Sequence, residues 1–464
     1  MLFSDTVAAV STPRGRGGIA VIRVSGPNTA DVISRVFRPM GSLDPASLPH
    51  RRACYGAIVS RDADGEREID RVIVTFFKGP SSYTGEDMAE VSCHGGVYVT
   101  RAVLSAVLSS GARMAEAGEF TRRAFLAGKL TLTEAEAVGN LLEADTEDKM
   151  ILAAAAAGGK LSDKMSDIVA SLTGAMTALY AAIDYPEEDL GDDGEREIGG
   201  AVSKALADVR RLLSTYRRGR AVAEGVKCVI CGRPNASKSS LYNLITGEES
   251  AIVTDIAGTT RDVLRERVSF GGVTLELCDT AGLRETEDSV ESIGVRRAES
   301  EMRSAELIIA VFDSASPMTE DERRMMESYE NVSRIAVINK SDLEIALSDK
   351  EIKLIEDNHT KTVRMSCATG DGLEALAAAV AELYDSGSCD IGRDAVIWSA
   401  RQEATLRLAE SYLDAAERSL EAGDPTDAVC TLCEAAVSHL AETDGRGVTE
   451  EIVAGIFSKF CVGK

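Results

Sequence analysis

No apolar run in the 464 residues approaches the length that a membrane-spanning helix requires. The opening MLFSDTVAAV also lacks a basic stretch leading into an apolar core, the mark of a secretion signal. These two absences predict a cytoplasmic protein with no membrane partner. Positive charge is short as well: 51 Lys and Arg face 75 Asp and Glu, a net charge of −24. That balance argues against an indiscriminate nucleic-acid coater. The deficit is uneven, since residues 1–129 carry 16 basic and 13 acidic side chains, a surplus of +3 that leaves −27 for the rest. Any contact with RNA is therefore expected in the N-terminal part.

The length suits two or three domains, and 44% hydrophobic with 27% charged residues is ordinary for a globular chain. Ten cysteines include Cys228-x-x-Cys231 and Cys430-x-x-Cys433. Zinc is not the expected reading of either pair. Residues three apart on a strand face opposite sides of the sheet, and the second pair lies in an Ala- and Leu-rich helical run without a further ligand cluster. Buried, reduced thiols are expected instead.

Residues 1–125 read as mixed α/β, with β-branched strand-like runs at 7–10, 19–24, 53–59 and 72–76. The glycine-rich stretch Arg14 to Gly18 reads as a tight loop, although an anion-binding turn has the same composition. Cys93 and His94 are adjacent on a strand, so their side chains point apart and cannot form a nucleophile–base couple. A strand end before a helix at 97–108 is expected there. From Gly118 onward helical patterns dominate, with a capping box expected at Thr133-x-x-Glu136. They run to about Asp184, and after an acidic, glycine-punctuated connection at 187–194 they resume to about Arg218.

Residues 221–378 alternate strand and helix, and helices return after about Leu373. The simplest architecture is a helical domain interrupted by a doubly wound α/β domain, with ligands at the strand C-terminal ends. The expected bounds are 1–125 for the N-terminal domain, 126–220 and 379–464 for the two parts of the helical domain, and 221–378 for the inserted domain.

Within 221–378, five short elements follow one another in the order that a guanine-nucleotide site needs. Gly232-Arg233-Pro234-Asn235-Ala236-Ser237-Lys238-Ser239, continued by Ser240, follows an apolar strand and opens a helix. Its backbone amides would cradle phosphates, Lys238 would reach the β and γ phosphates, and Ser239 would hold Mg²⁺. The pattern expects glycine where Ser237 stands, and a Cβ there adds backbone strain. Gly258-Thr259-Thr260 supplies a second Mg²⁺ hydroxyl. Asp279-Thr280-Ala281-Gly282 ends a strand, with an acid near Mg²⁺ and a glycine amide that senses the γ-phosphate. Asn339-Lys340-Ser341-Asp342 ends another, and its aspartate accepts both donors of the guanine edge, which adenine lacks. Ser366-Cys367-Ala368 fits the loop that backs the base. Leu283 stands where Ras-like enzymes carry the glutamine that orients the attacking water, so another group must do so.

The motifs outside this domain narrow the reading. Tyr83-Thr84-Gly85-Glu86-Asp87, Cys93-His94-Gly95-Gly96, the run from Gly118 through Arg122-Arg123 to Leu126, and Phe460-Cys461-Val462-Gly463-Lys464 together resemble the MnmE (TrmE) family of tRNA-modification GTPases along essentially the whole chain. The resemblance implies an N-terminal α/β tetrahydrofolate-binding and dimerisation domain, a central helical domain and an inserted Ras-like P-loop GTPase domain. It implies a homodimer that works with the flavoprotein MnmG, as a heterotetramer, on C5 of the wobble uridine of certain tRNAs. A 5-formyl- or methylene-tetrahydrofolate supplies the carbon, and FAD and NADH belong to the partner. GTP-driven dimerisation of the G domains uses K⁺ in place of an arginine finger.

Residue by residue, the resemblance makes Asn235 a K⁺ ligand, joined by Thr254, Ile256 and Thr259 in the nucleotide loop that also contains Asp255 and Ala257. Ser239 and Thr260 bind Mg²⁺. Glu291 positions the water and Arg284 orders the switch, although a solvated charge on a helix face is the reading of Glu291 without the resemblance. Arg23, Glu90, Lys129 and Lys464 match the folate-binding positions. Cys461 matches a cysteine of the tRNA chemistry, with a merely buried thiol as the alternative. Three departures stand out: Ser237 for glycine, Val462 for isoleucine and Ala117 for proline. The competing class is a ribosome-assembly GTPase acting as a binding switch, which needs neither the folate-like N-terminal third nor the Cys-Val-Gly-Lys end.

Overall fold

Alternation of apolar and polar residues builds the first sheet. In Ile19–Ser25 the side chains of Ala20, Ile22 and Val24 are buried, while Ile19 is exposed and Val21 and Arg23 are half-buried on the other face. The computed structural model describes residues 4–13, 15–62, 65–184, 191–247, 265–278, 304–327, 332–384 and 389–464. Two compact units result, Met1–Gly139 with Ala441–Lys464, and Asn140–Leu440.

In the first unit, β1 (Val7–Val10), β2 (Ile19–Ser25), β3 (Phe37–Pro39), β4 (Ala53–Asp62), β5 (Gly65–Phe77), β6 (Met88–His94) and β7 (Arg113–Met114) form one sheet in the order β3-β4-β5-β6-β2-β1-β7. Every pairing is antiparallel except that of β1 with β7. Helices Thr29–Val36 and Val97–Ser109 cover one face and bury Val32, Ile33, Val103 and Val107 against Ile22, Val24, Val74 and Val91. Cys93 is buried and His94 is exposed, with its Nδ1 2.7 Å from Asp70 Oδ1, so the two do point apart as the strand geometry requires.

The capping box lies two residues earlier than expected. The helix Leu132–Leu142 is capped by Thr131, whose hydroxyl accepts from Glu134 N at 3.1 Å while Glu134 Oε2 accepts from Thr131 N at 2.8 Å. Thr133 is buried inside the helix and donates to Thr443 O at 3.0 Å. Both threonines carry a glutamate three residues on, and Thr133 is drawn inward by that carbonyl, which leaves Thr131 as the cap.

In the second unit, β8 (Val226–Gly232), β9 (Arg265–Phe270), β10 (Val273–Cys278), β11 (Leu307–Asp313), β12 (Ser333–Asn339) and β13 (Lys361–Arg364) form a sheet ordered β13-β12-β11-β8-β10-β9. It is parallel except for the β9–β10 hairpin. All seven residues of β11 are buried, as a strand covered on both faces demands. Cys228 packs with Ile230, Leu275 and Ile309, whereas Cys231 packs with Val229, Ala310 and Phe312, so this pair lies on opposite faces. Burial pushes the Cys231 thiol up to about 12.

Long helices Lys160–Asp184, Gly191–Ala223 and Ala400–Ala422 make up the helical part of this unit. The helix from Gly191 begins inside the stretch expected to be a connection, so residues 191–194 are helical. Arg218 Nη1 donates to Cys389 O at 2.7 Å, which sets the chain's entry into the sheet beside its exit. Arg220 with Glu306, and Arg267 Nη1 with Asp145 Oδ2 at 3.2 Å, tie helices to sheet.

Candidate functional sites

The phosphate-loop sequence folds into a left-handed kink. Gly232 ends β8 at φ +148°, and a Cβ there would lie 2.4 Å from Val311 O, so only glycine fits. Asn235 (φ +64°) and Ser237 (φ +69°) both occupy the left-handed region. Asparagine tolerates it better than most residues. Serine does not share that tolerance, so Ser237 carries the strain that its position in the motif foretold. Leu241 N donates to Ser237 O at 3.0 Å, which starts the helix Lys238–Thr246. The first amides of that helix, its dipole and Lys238 make the loop suited to an anion. Lys238 Nζ donates to Arg233 O at 2.9 Å within the loop, Ala236 is buried, and Asn235, Ser239 and Ser240 are exposed.

Asn339, at the end of β12, is the knot between the loops. Its buried side chain donates from Nδ2 to Ala236 O at 3.1 Å and accepts at Oδ1 from Cys367 N at 2.9 Å. One carboxamide thereby joins the Gly232–Ser239 loop, the Asn339–Asp342 loop and the Ser366–Ala368 loop. Ser341 N donates to Met365 O at 3.1 Å, and buried Ser366 accepts from Thr369 N at Oγ. Burial raises the Cys367 thiol to about 11. Asp342 is exposed. Lys340 Nζ reaches Asp313 Oδ2 at 2.8 Å, and Arg233 Nη2 reaches the same oxygen at 2.7 Å. Burial would raise the Asp313 carboxyl, but Lys340, Arg233 and the amide of Ala315 outweigh it and hold it below its ordinary value.

Thr254, Asp255, Ile256, Ala257, Gly258, Thr259, Thr260, Asp279, Thr280, Ala281, Gly282, Arg284 and Glu291 lie outside the described residues.

The second cluster sits in the first unit. Arg23 on β2 is the register partner of Glu90 on β6, and Arg23 Nη2 donates to Glu90 Oε1 at 2.8 Å. The guanidinium lies 5.3 Å from the ring centre of Tyr83 and 5.6 Å from that of Phe120. Lys464 is half-buried beside this pair: burial and the Arg23 charge lower its amine, and Glu90 opposes them. Lys129 donates from Nζ to Pro80 O at 3.0 Å, on the loop that carries Tyr83.

The end of the chain is threaded in place by backbone contacts. Phe120 N donates to Lys464 O at 3.1 Å, Gly118 N to Cys461 O at 3.4 Å, and Ser11 Oγ to Gly463 O at 2.8 Å. Gly463, at φ +104°, packs so closely on β1 that a Cβ would fall 2.2 Å from Val10 O. Val462 forms a β-bridge with Ala117, so two of the three departures from the family pattern face each other. Cys461 is exposed, which answers the buried-thiol alternative.

Sequence reasoning missed what holds this cluster. Arg123, fully buried, meets Asp5 at 3.0 Å, Glu86 at 3.1 Å and Glu119 at 2.8 Å, and so joins three segments. Tyr83 OH lies 3.0 Å from Thr121 Oγ1, which fastens its loop to the helix Glu119–Leu126. The available signal was an aromatic residue and an acid in each of the two motifs, 83–87 and 118–126.

Two family models match the chain: "GTP-binding protein TrmE N-terminus" over residues 6–129 and "MnmE helical domain" over residues 132–461. It is similar to the tRNA modification GTPase MnmE of Natranaerobius thermophilus, 38% identical over 463 residues that span 100% of both chains. The protein of that name from Moorella thermoacetica is 39% identical over 466 residues, again 100% of each. That of Carboxydothermus hydrogenoformans is 37% identical over 463 residues, with the same coverage.

Proposed function

The chain belongs to the MnmE family of tRNA modification GTPases, and on that premise we propose that it hydrolyses GTP to drive modification of C5 of the wobble uridine in tRNA, together with a flavoprotein of the MnmG kind. The observation that carries the GTPase half is the Asn339 knot, which draws the phosphate loop and the two base-side loops together through one buried side chain. Asp342, exposed at the mouth of this arrangement, accepts the guanine edge. Lys238 and the first amides of its helix hold the phosphates.

The donor set suits the expected ions. The Ser239 hydroxyl, exposed on the first helical turn, is a hard oxygen ligand for Mg²⁺, and Thr260 adds a second. Asn235 offers a carboxamide oxygen to K⁺, with Thr254, Ile256 and Thr259. When bound, these cations neutralise charge that develops on the phosphates. The chain's own share is to orient the water through Glu291, helped by Arg284. Arg233, the arginine of the loop, is held by Asp313 at 2.7 Å and Glu322 at 3.8 Å, so it does not serve as an internal arginine finger.

The one-carbon half rests on the Arg23 cluster. An ion pair whose guanidinium lies near two aromatic rings fits a flat heterocycle with a donor–acceptor edge, and Lys129 and Lys464 suit an acidic tail. A tetrahydrofolate supplies a carbon at the formyl or methylene oxidation level. Cys461, exposed three residues before Lys464, is the candidate for contact with tRNA. We further propose that the protein is a cytoplasmic homodimer, joined through the N-terminal domain within the bounds 1–125, 126–220, 221–378 and 379–464. Titration with 5-formyltetrahydrofolate tests this reading against the ribosome-assembly switch, which should show no binding.

A further inference from the structure

Lys340 adopts φ +64°, a left-handed backbone that disfavours lysine and persists only where its surroundings fix it. Three contacts from the end of β11 do so. Ser314 N donates to Asn339 O at 2.9 Å, Ser314 Oγ donates to Lys340 O at 3.0 Å, and Asp313 Oδ2 accepts from Lys340 Nζ at 2.8 Å. The same Asp313 oxygen accepts from Arg233 Nη2 at 2.7 Å, while Oδ1 accepts from Ala315 N at 2.9 Å and so fixes the carboxylate's orientation. Glu322, the other acid near Arg233, gives Oε2 to the amide and hydroxyl of Thr319 at 2.8 and 2.9 Å, and its Oε1 stands 3.8 Å from Arg233 Nε, farther than Asp313 Oδ2. Asp313 is therefore the group on which a cation from the phosphate loop and a cation from the base-recognition loop converge.

We propose that Asp313 is a positioning residue for the nucleotide site, a clasp that holds the base-side loop and the phosphate loop in register and so sets how long a guanine nucleotide stays bound. It touches neither base nor phosphate in this account; it acts through Lys340 and Arg233. The inference rests on the guanine-nucleotide reading above. In Asp313→Asn the bond from Ala315 N is kept, but the charge that draws both cations is lost. Each loop then keeps its own fold while their mutual register loosens.

The test uses the full-length protein and a fluorescent GDP analogue. Asp313→Asn should release the analogue about tenfold faster, the scale of one lost charge-assisted hydrogen bond. KM for GTP should rise by more than kcat falls, and Asp313→Glu should restore part of the residence time. A purely structural role would instead lower the melting temperature and scale all kinetic constants together, which would overturn the proposal. Arg233→Met provides the second arm: combined with Asp313→Asn it should speed release by less than the product of the two single effects, and a full product would overturn the proposal. Wild-type binding with an unchanged release rate in Asp313→Asn would also overturn the proposal. Failure of the wild type itself to bind the analogue would instead overturn the nucleotide reading on which it stands.

Discussion

Arg23 and Glu90 face each other across β2 and β6 in a 2.8 Å ion pair, and the guanidinium lies 5.3 and 5.6 Å from the ring centres of Tyr83 and Phe120. Glu90 Oε1 accepts from both Nε and Nη2 of Arg23, and on the proposed reading its second oxygen is the one that meets the folate. Glu90→Gln should weaken 5-formyltetrahydrofolate binding by about tenfold, the scale of one charge-assisted hydrogen bond. GTP binding should be unaffected. Calorimetric titration of both ligands into the variant measures this directly, and unchanged folate affinity would remove Glu90 from the site.

Ser237 sits at φ +69°, ψ +35° without a capping hydrogen bond from its side chain. Relief of a left-handed Cβ is worth about 1–2 kcal/mol, offset by about 0.5–1 kcal/mol of added chain entropy for glycine. Ser237→Gly should therefore bind GDP no more than about tenfold more tightly. Weaker binding would mean that the serine side chain contributes contacts of its own.

Arg123, itself fully buried, pairs with Asp5, Glu86 and Glu119, and Arg113 pairs with Asp5 and Glu119 as well. Removal of one partner from a buried ion pair costs about 3–5 kcal/mol when the other charge is left unpaired; with Arg113 still on Asp5 and Glu119, about 1–3 kcal/mol is expected here. Arg123→Met should destabilise the N-terminal unit by that order, in chemical denaturation followed by circular dichroism. A loss below about 1 kcal/mol would show that water replaces the guanidinium.

The monovalent-cation role proposed for Asn235 has a direct readout. GTP turnover in KCl should far exceed turnover in NaCl at equal ionic strength, and Asn235→Ala should abolish the difference. Glu291→Ala should retain GTP binding and lose turnover. Equal rates in the two salts, or an active Glu291 variant, would remove the corresponding role.

Where a pattern depended on local chemistry, it could be read directly. The β-branched runs became strands, and the glycine-to-lysine loop became a helix-capping turn after β8. The opposed faces of Cys228 and Cys231 followed from strand geometry alone. What could not be read were long-range pairings. Nothing local distinguishes Thr131 from Thr133 as a cap, because Thr443, which draws Thr133 inward, is 310 residues away in sequence. Arg123 is one of two adjacent arginines, and nothing local marks it as the buried one: Glu119 is four residues away, but Asp5 and Glu86 are 118 and 37 residues away. Asp313 ends an apolar strand in unremarked fashion, and its partners Arg233 and Lys340 lie 80 and 27 residues from it. Ala117 and Val462 registered as separate departures, yet they are bridge partners.

On the proposed function, this GTPase acts on the wobble uridine of tRNA. The decisive comparison is mass spectrometry of nucleosides from tRNA of cells lacking the chain and of cells that carry it. Loss of the aminomethyl-type group at C5 of uridine 34, restored by the wild-type protein, is the predicted result. Wobble uridines that are identical in the two strains would contradict it.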